Sequence, residues 1–377
     1  MPRQRTASAL IVVCSLLLER IDNPSKILSM RRVILIPVIG FFVISVFCYS
    51  SCSKASLSYL QDGDWIQAHA IEGYPRGGAS SFVIGNTAYV GLGYNESIGG
   101  STNFRLSDFW SFSSDTGWTQ LADFPGAARS GASAFSVGNY GYIGTGWDGI
   151  NRFDDFYRYD PAQGKWEKKA SYPGGARYDG VGFAVKGKGY IGTGFSVYTL
   201  SDFFQYDPDS DRWSRTPSTD LNFSKRKGAV AFVYNDKAYI VTGSSNNAMV
   251  KDFWEFDPTQ TAPWKPLANI TNSDPGTFDD GYTDIERQYA AAFVNNGKAY
   301  LVTGDNGSLR NTTWEYDFST TYWSQRTPYP RALRDGAIAF TIGGKSYVGL
   351  GSTGVSTGAT FDNLDIFSPD KAFNPND

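Results

Sequence analysis

Six arginines stand at one frame of a repeated pattern: Arg76, Arg129, Arg177, Arg226, Arg287 and Arg334. Each has Phe at +6 (Phe82, Phe135, Phe183, Phe232, Phe293, Phe340) and Tyr at +13 (Tyr89, Tyr142, Tyr190, Tyr239, Tyr300, Tyr347). Six guanidinium groups around one axis could hold a carboxylate, as a sialic or uronic acid presents, through bidentate hydrogen bonds. The same frame carries a second reading. Asp108, Asp155, Asp202 and Asp252 recur in four units, with Thr312 and Asn363 in their place in the last two. Arginine and aspartate repeated in step are what structural pairing between strands would produce. On that reading Arg287 and Arg334, which lack the matching Asp, are the ones expected to be free for a ligand. Beside Arg287 lie Asp279, Asp280, Asp284 and Glu286. Glu286, Arg287 and Arg334 are therefore the candidates for acid–base or electrostatic catalysis, since burial can tune a carboxylate next to an arginine. A solvated acidic loop is the plainer alternative.

These residues need a scaffold, and the repeat supplies it. Units of about fifty residues signal stacked copies of one element, because one unit cannot bury its apolar face alone. One unit reads SGASAFSV, a turn at Gly138-Asn139, YGYIGTG, a polar loop, DDFYRYDP, a second turn and KWEKKA. Short aromatic or alternating stretches bounded by Gly, Asn, Asp or Pro are antiparallel strands joined by turns. Four strands per unit predict an all-β, six-bladed β-propeller. The last unit, after Arg334, lacks a Trp-bearing fourth strand, whereas Trp65 precedes Arg76 by the same eleven residues that separate Trp118 from Arg129, Trp166 from Arg177 and Trp323 from Arg334. The N-terminal strand is thus expected to close the last blade and remove an open edge.

Strand direction places the second-to-third and fourth-to-first loops on one face, here called upper, where the insertions fall, the largest at residues 268–286. Functional residues concentrate on loops set by a rigid scaffold. Tyr94, Trp147, Phe195, Tyr198 and Tyr282 join the six arginines as candidate ligand-binding residues there, as platforms for sugar rings; plain loop packing is the competing reading.

The repeat resembles the kelch family of β-propellers. The Tyr–Trp relation of that family stands at Tyr159 and Trp166, Tyr206 and Trp213, and Tyr316 and Trp323, although its usual Gly-Gly is replaced by Gly91-Leu92-Gly93 and its counterparts. Galactose oxidase has a kelch-type propeller with a copper site built from histidine and a cysteine-linked tyrosine. Here His69 is the only histidine and Cys14, Cys48 and Cys52 all lie outside the repeats, so no metal or other cofactor is expected. Bacterial sialic-acid mutarotases are also exported six-bladed kelch proteins, whose chemistry uses acid, base and arginine groups without metal. The resemblance implies a binding module for a glycan or protein ligand, or alternatively such a mutarotase or epimerase.

Residues 1–52 read as an export signal with its true start at Met30. Arg31-Arg32 precede an apolar run from Val33 to Phe47 and then Tyr49-Ser50-Ser51-Cys52. This resembles a bacterial lipoprotein signal, which implies lipidation at Cys52 and a membrane-anchored protein of the cell envelope. Residues 53–62 would be a tether, 63–368 the propeller and 369–377 a tail. Without residues 1–52 the chain keeps 28 basic against 35 acidic residues. That balance argues against nucleic acid as a partner, and a monomer is expected.

Overall fold

A computed structural model describes residues 62–95, 104–216, 223–354 and 358–374. All belong to one compact unit, Ser58–Asp377. The export signal, Cys52 and the tether up to residue 61 lie outside the described residues. There is no helix among the described residues, and the strands form six four-stranded antiparallel sheets and one two-stranded ribbon, Ser244–Ser245 with Ala248–Met249. Blade two shows the plan, with Ser133–Val137 innermost, then Tyr140–Gly144, Phe156–Asp160 and Lys165–Lys169 outermost.

The +6 Phe and +13 Tyr sit directly opposite each other on the first two strands, as in Phe82↔Tyr89 and Phe135↔Tyr142. Their rings stack in all six blades, with centroids 5.0–5.5 Å apart. Cross-strand aromatic pairs of this kind stabilise a sheet beyond their buried area. They also reach the next blade: Tyr89 meets Tyr159 at 5.7 Å and Phe109 meets Trp166 at 4.8 Å. The core is therefore a ring of interblade aromatic clusters.

Blade six is closed as expected. Its strands are Ile338–Ile342, Lys345–Gly349 and Leu364–Ala372, with the N-terminal Asp62–Gln67 outermost. Its third strand runs to Ala372, past the 368 boundary read from the sequence. Trp65 pairs with Phe367 in register, as Trp166 pairs with Tyr159 in blade two. Its indole donates to the Thr327 carbonyl at 3.1 Å, and its ring meets Tyr329 at 4.9 Å and Phe367 at 4.6 Å. Trp118, Trp166 and Trp213 make the same indole-to-carbonyl bond to the preceding blade.

Trp65 is 3% exposed, so Trp65→Ala removes a core aromatic at the one junction closed by the chain's two ends. It is expected to cost about 3–5 kcal/mol, read from the midpoint of urea unfolding. A loss below about 1 kcal/mol would mean that the N-terminal strand does not hold the ring shut.

Candidate functional site

The six arginines are buried, each at most 1% exposed, and each serves as a clip. Nη1 donates to a carbonyl sixteen residues on, at Leu92, Thr145, Thr193, Thr242, Thr303 or Leu350, over 2.7–3.2 Å. Those six residues all have left-handed backbone, φ between 57° and 66°, which turns their carbonyls toward the guanidinium. A glycine follows each; at Gly93 a Cβ would sit 2.7 Å from the Gly77 carbonyl oxygen, which explains the fixed glycine at the end of the step. Arg76, Arg129, Arg177 and Arg226 then pair with Asp108, Asp155, Asp202 and Asp252. The structural reading of these four pairs matches the geometry.

Arg287 and Arg334 are not free either, which corrects the expectation for them. Arg287 bonds Asp284, from the long insertion, together with the Thr312 hydroxyl at 2.7 Å. Arg334 bonds Asn363 Oδ1 at 2.8 Å. A buried guanidinium without partners would carry a large desolvation cost, and in blade five the insertion supplies the missing carboxylate. Burial has lowered the pKa of the Arg287 guanidinium to about 10, with Asp284 opposing that shift. None of the six arginines lines the upper-face cavity, so the expectation of a guanidinium ring facing a ligand is corrected as well. Glu286 is half-buried and also lies off that cavity.

At the axis the chain builds something the repeat frame did not foreshadow. The residues two beyond each arginine form a closed ring of backbone hydrogen bonds of 2.7–3.0 Å, running Gly78 to Gly336, Gly336 to Tyr289, Tyr289 to Gly228, Gly228 to Asp179, Asp179 to Gly131 and Gly131 to Gly78. All six have φ between 53° and 62°. Four are glycine, for which this conformation is free of steric cost. Asp179 and Tyr289 are not, and each bears the steric cost of that conformation where the other four blades place glycine. The Tyr289 hydroxyl donates to Asp179 Oδ2 at 2.8 Å.

Above this ring opens a cavity of about 350 Å³, lined by residues from all six blades. One side is aromatic. Trp147 stacks on Tyr178 at 5.3 Å, and the Arg105 guanidinium lies over the Tyr94 and Trp147 rings at 5.2 and 5.1 Å. The other side carries Lys227 and Asp335, with Ser352 bonding Asp335 at 3.2 Å. Volume and lining suit one small, polar, ring-shaped ligand.

Desolvation raises the pKa of Asp179 to about 6, against the lowering effects of the Tyr289 hydroxyl, Lys227 and Arg105. Asp179 nevertheless keeps part of its surface open to the cavity. Asp335 also rises to about 6, through burial first and then the nearby Asp305 and Asp179 charges, with Ser352 opposing. Tyr289 is pushed well above the usual phenol value by burial and by Asp179. Two carboxyls that titrate near neutrality within one cavity, beside two cations, can take up and release protons on a bound ligand.

Of the aromatics expected on the upper face, Tyr94 and Trp147 line the cavity. Phe195 stands behind them, in edge contact with Tyr178 at 5.6 Å and beneath Arg152 at 5.8 Å. Tyr198 is exposed on the rim. Tyr282 is packed in the core between blades four and five, where its hydroxyl accepts from the Trp323 backbone N–H at 2.8 Å; its assignment as a ligand platform is corrected. The sequence reading missed Arg105, Asp179, Lys227, Tyr289 and Asp335. The available signal was the departure of Asp179 and Tyr289 from the glycine held at their frame in the other four units.

Residues 59–243 match a family model described as the KLHDC2/KLHL20/DRC7 Kelch-repeats domain. An N-acetylneuraminate epimerase of Vibrio cholerae serotype O1 is 42% identical over 84 residues, which is about 20% of this chain and about 20% of that protein's length. The solved structure titled "Structure of YjhT" superposes with a TM-score of 0.63 at 17% identity, covering 77% of this chain and 94% of the other. It shows the same fold. The repeated frame, the six closed blades and the matching family model together make this chain a kelch-repeat six-bladed β-propeller.

Proposed function

We infer that the upper-face cavity binds an acidic monosaccharide and speeds the interchange of its anomers without a metal. The observation that carries this reading is the Asp179–Tyr289 pair, held in left-handed backbone at the floor of a cavity that also presents Arg105 and Lys227. The carboxylate of the sugar would sit against the cations and its ring face against Trp147 and Tyr178. Ionised Asp179, steadied by the Tyr289 hydroxyl, would take the proton of the anomeric hydroxyl as the bond from anomeric carbon to ring oxygen breaks. The open-chain carbonyl then turns, and reclosure on its other face returns the proton. The stretch shared with an N-acetylneuraminate epimerase makes N-acetylneuraminate the first substrate to test.

A second reading keeps the propeller as a binding module for a larger glycan or a protein. It is favoured by Ile150, Val197 and Tyr198, which stand 61–79% exposed at the rim over blades two and three. Binding without any change in anomer exchange would select it. Export and lipid attachment belong to either reading and rest on the residues from Met30 to Cys52. Cys52→Ser is expected to move the protein from the membrane pellet to the soluble fraction, and unchanged pelleting would remove the anchor.

Exchange spectroscopy on equilibrated N-acetylneuraminate should show anomer interchange accelerated by the wild type and slowed about 10²-fold or more in Asp179→Asn. Equal rates in the two would end the assignment of Asp179. The same variant has a thermodynamic signature. A carboxyl whose pKa is raised on folding adds stability that is complete below its unfolded value near 4 and is lost as pH rises through about 6. Asp179→Asn should therefore melt higher than wild type at pH 7.5, by about 2–4 °C for each kcal/mol released, and the gain should vanish toward pH 4. A gain that persists in acid would contradict a buried, ionised Asp179.

A further inference from the structure

Ring opening needs a second proton, delivered to the ring oxygen as its bond to the anomeric carbon breaks. Asp179 cannot both take the first and give the second, and Tyr289 is already committed to it at 2.8 Å. The cavity holds another carboxyl with its own hydroxyl chain. The Tyr94 and Ser352 hydroxyls lie 2.6 Å apart, and Ser352 Oγ donates to Asp335 Oδ1 at 3.2 Å. With Ser352 giving its proton to Asp335, Tyr94 donates to Ser352. The chain runs from the second-to-third loop of blade one to the first-strand approach of blade six, and all three members are more than nine-tenths buried.

We propose that Asp335 is the general acid of the reaction and that Ser352 and Tyr94 are its positioning residues. This rests on the anomer-exchange reading and deepens it. Asp335 gives its proton to the ring oxygen while Asp179 takes the anomeric proton; on reclosure both return, so the cycle balances with no external acid. The two carboxyls differ in their surroundings. Asp179 faces Tyr289, Lys227 and Arg105, which favour its ionised form. Asp335 faces the like charges of Asp305 and Asp179 and has the Ser352 hydroxyl as its lowering partner. Tyr94, Tyr178 and the cations Arg105 and Lys227 complete the lining. The cations facing Asp179 and the like charges facing Asp335 favour a shared proton on Asp335, and interacting carboxyls titrate as a pair in two steps.

The test is the pH profile of anomer exchange on N-acetylneuraminate for wild type, Asp335→Asn, Asp335→Glu and Ser352→Ala, each checked for a cooperative melt and an unchanged near-UV spectrum. Asp335→Asn should lower kcat about 10²-fold with KM within about threefold, and Asp335→Glu should restore part of it. Ser352→Ala removes a donor that favours the ionised carboxyl, so the alkaline limb of the kcat profile should move to higher pH by about half a unit or more. A purely structural Ser352 would change the rate without moving the limb. With an active wild type, an unchanged kcat in Asp335→Asn overturns the role of Asp335 alone, and an unmoved limb in Ser352→Ala overturns that of Ser352. A wild type that does not accelerate exchange overturns the parent reading and this one together.

Discussion

The fold depends on one residue used six times. A guanidinium taken out of water must find partners for its donors, and here it finds the first through Nε in a carbonyl two or three residues back. It bonds the carbonyl of the left-handed step that ends the second strand, and it bonds a carboxylate, or a carboxylate substitute, where the third strand begins. Its own backbone carbonyl accepts from a glycine N–H of the preceding blade, from Gly93 to Arg129 round to Gly351 to Arg76, over 2.7–2.9 Å. Each arginine therefore sets the turn of its own blade and the docking of the one before. Buried ion pairs add little net stability over an apolar core. Their directional bonds make register their main contribution, because a blade shifted by one residue would leave a charge without its partners.

On this sixfold backbone the side chains are arranged without symmetry. The residues that begin the upper loops pair with those one beyond each arginine, and in blades one to three these pairs are Gly77 with Tyr94, Ser130 with Trp147 and Tyr178 with Phe195. In blades four to six they are Lys227 with Ser244, Gln288 with Asp305 and Asp335 with Ser352. Half the mouth is aromatic and half is polar, and Asp179 and Tyr289 meet between them at the centre. The scaffold repeats so that geometry is shared, and the site arises where residue types diverge within that geometry.

That division accounts for what was legible from sequence. The Phe and Tyr frames, the eleven-residue spacing from Trp to Arg and the split between short lower turns and long upper loops are periodic. They reported blade number and closure by Trp65, which hold in the structure, and pointed to the face on which the cavity opens. The same attention to periodicity drew the eye to the arginines as a ligand ring, yet repetition was the mark of their structural use. Asp284 could not be matched to Arg287 from spacing, because it comes from before the arginine and stands in for an aspartate missing after it. Arg105 and Lys227 fall in unlike loops that only the closed ring brings to one cavity. Tyr282 showed the limit of reading aromatics by loop position, since the insertion folds its ring back into the core.

The closure of blade six has a consequence for how the chain is made. Asp62–Gln67 pairs with Leu364–Ala372, at opposite ends of the propeller sequence. Contacts between such distant segments form slowly, since a very long loop must close before they can stabilise anything. The earliest strand to leave the ribosome must wait, unpaired, through the synthesis of five complete sheets that each offer it a similar edge. Correct assembly then relies on those sheets completing themselves first, so that a single vacant edge remains when the final strand emerges.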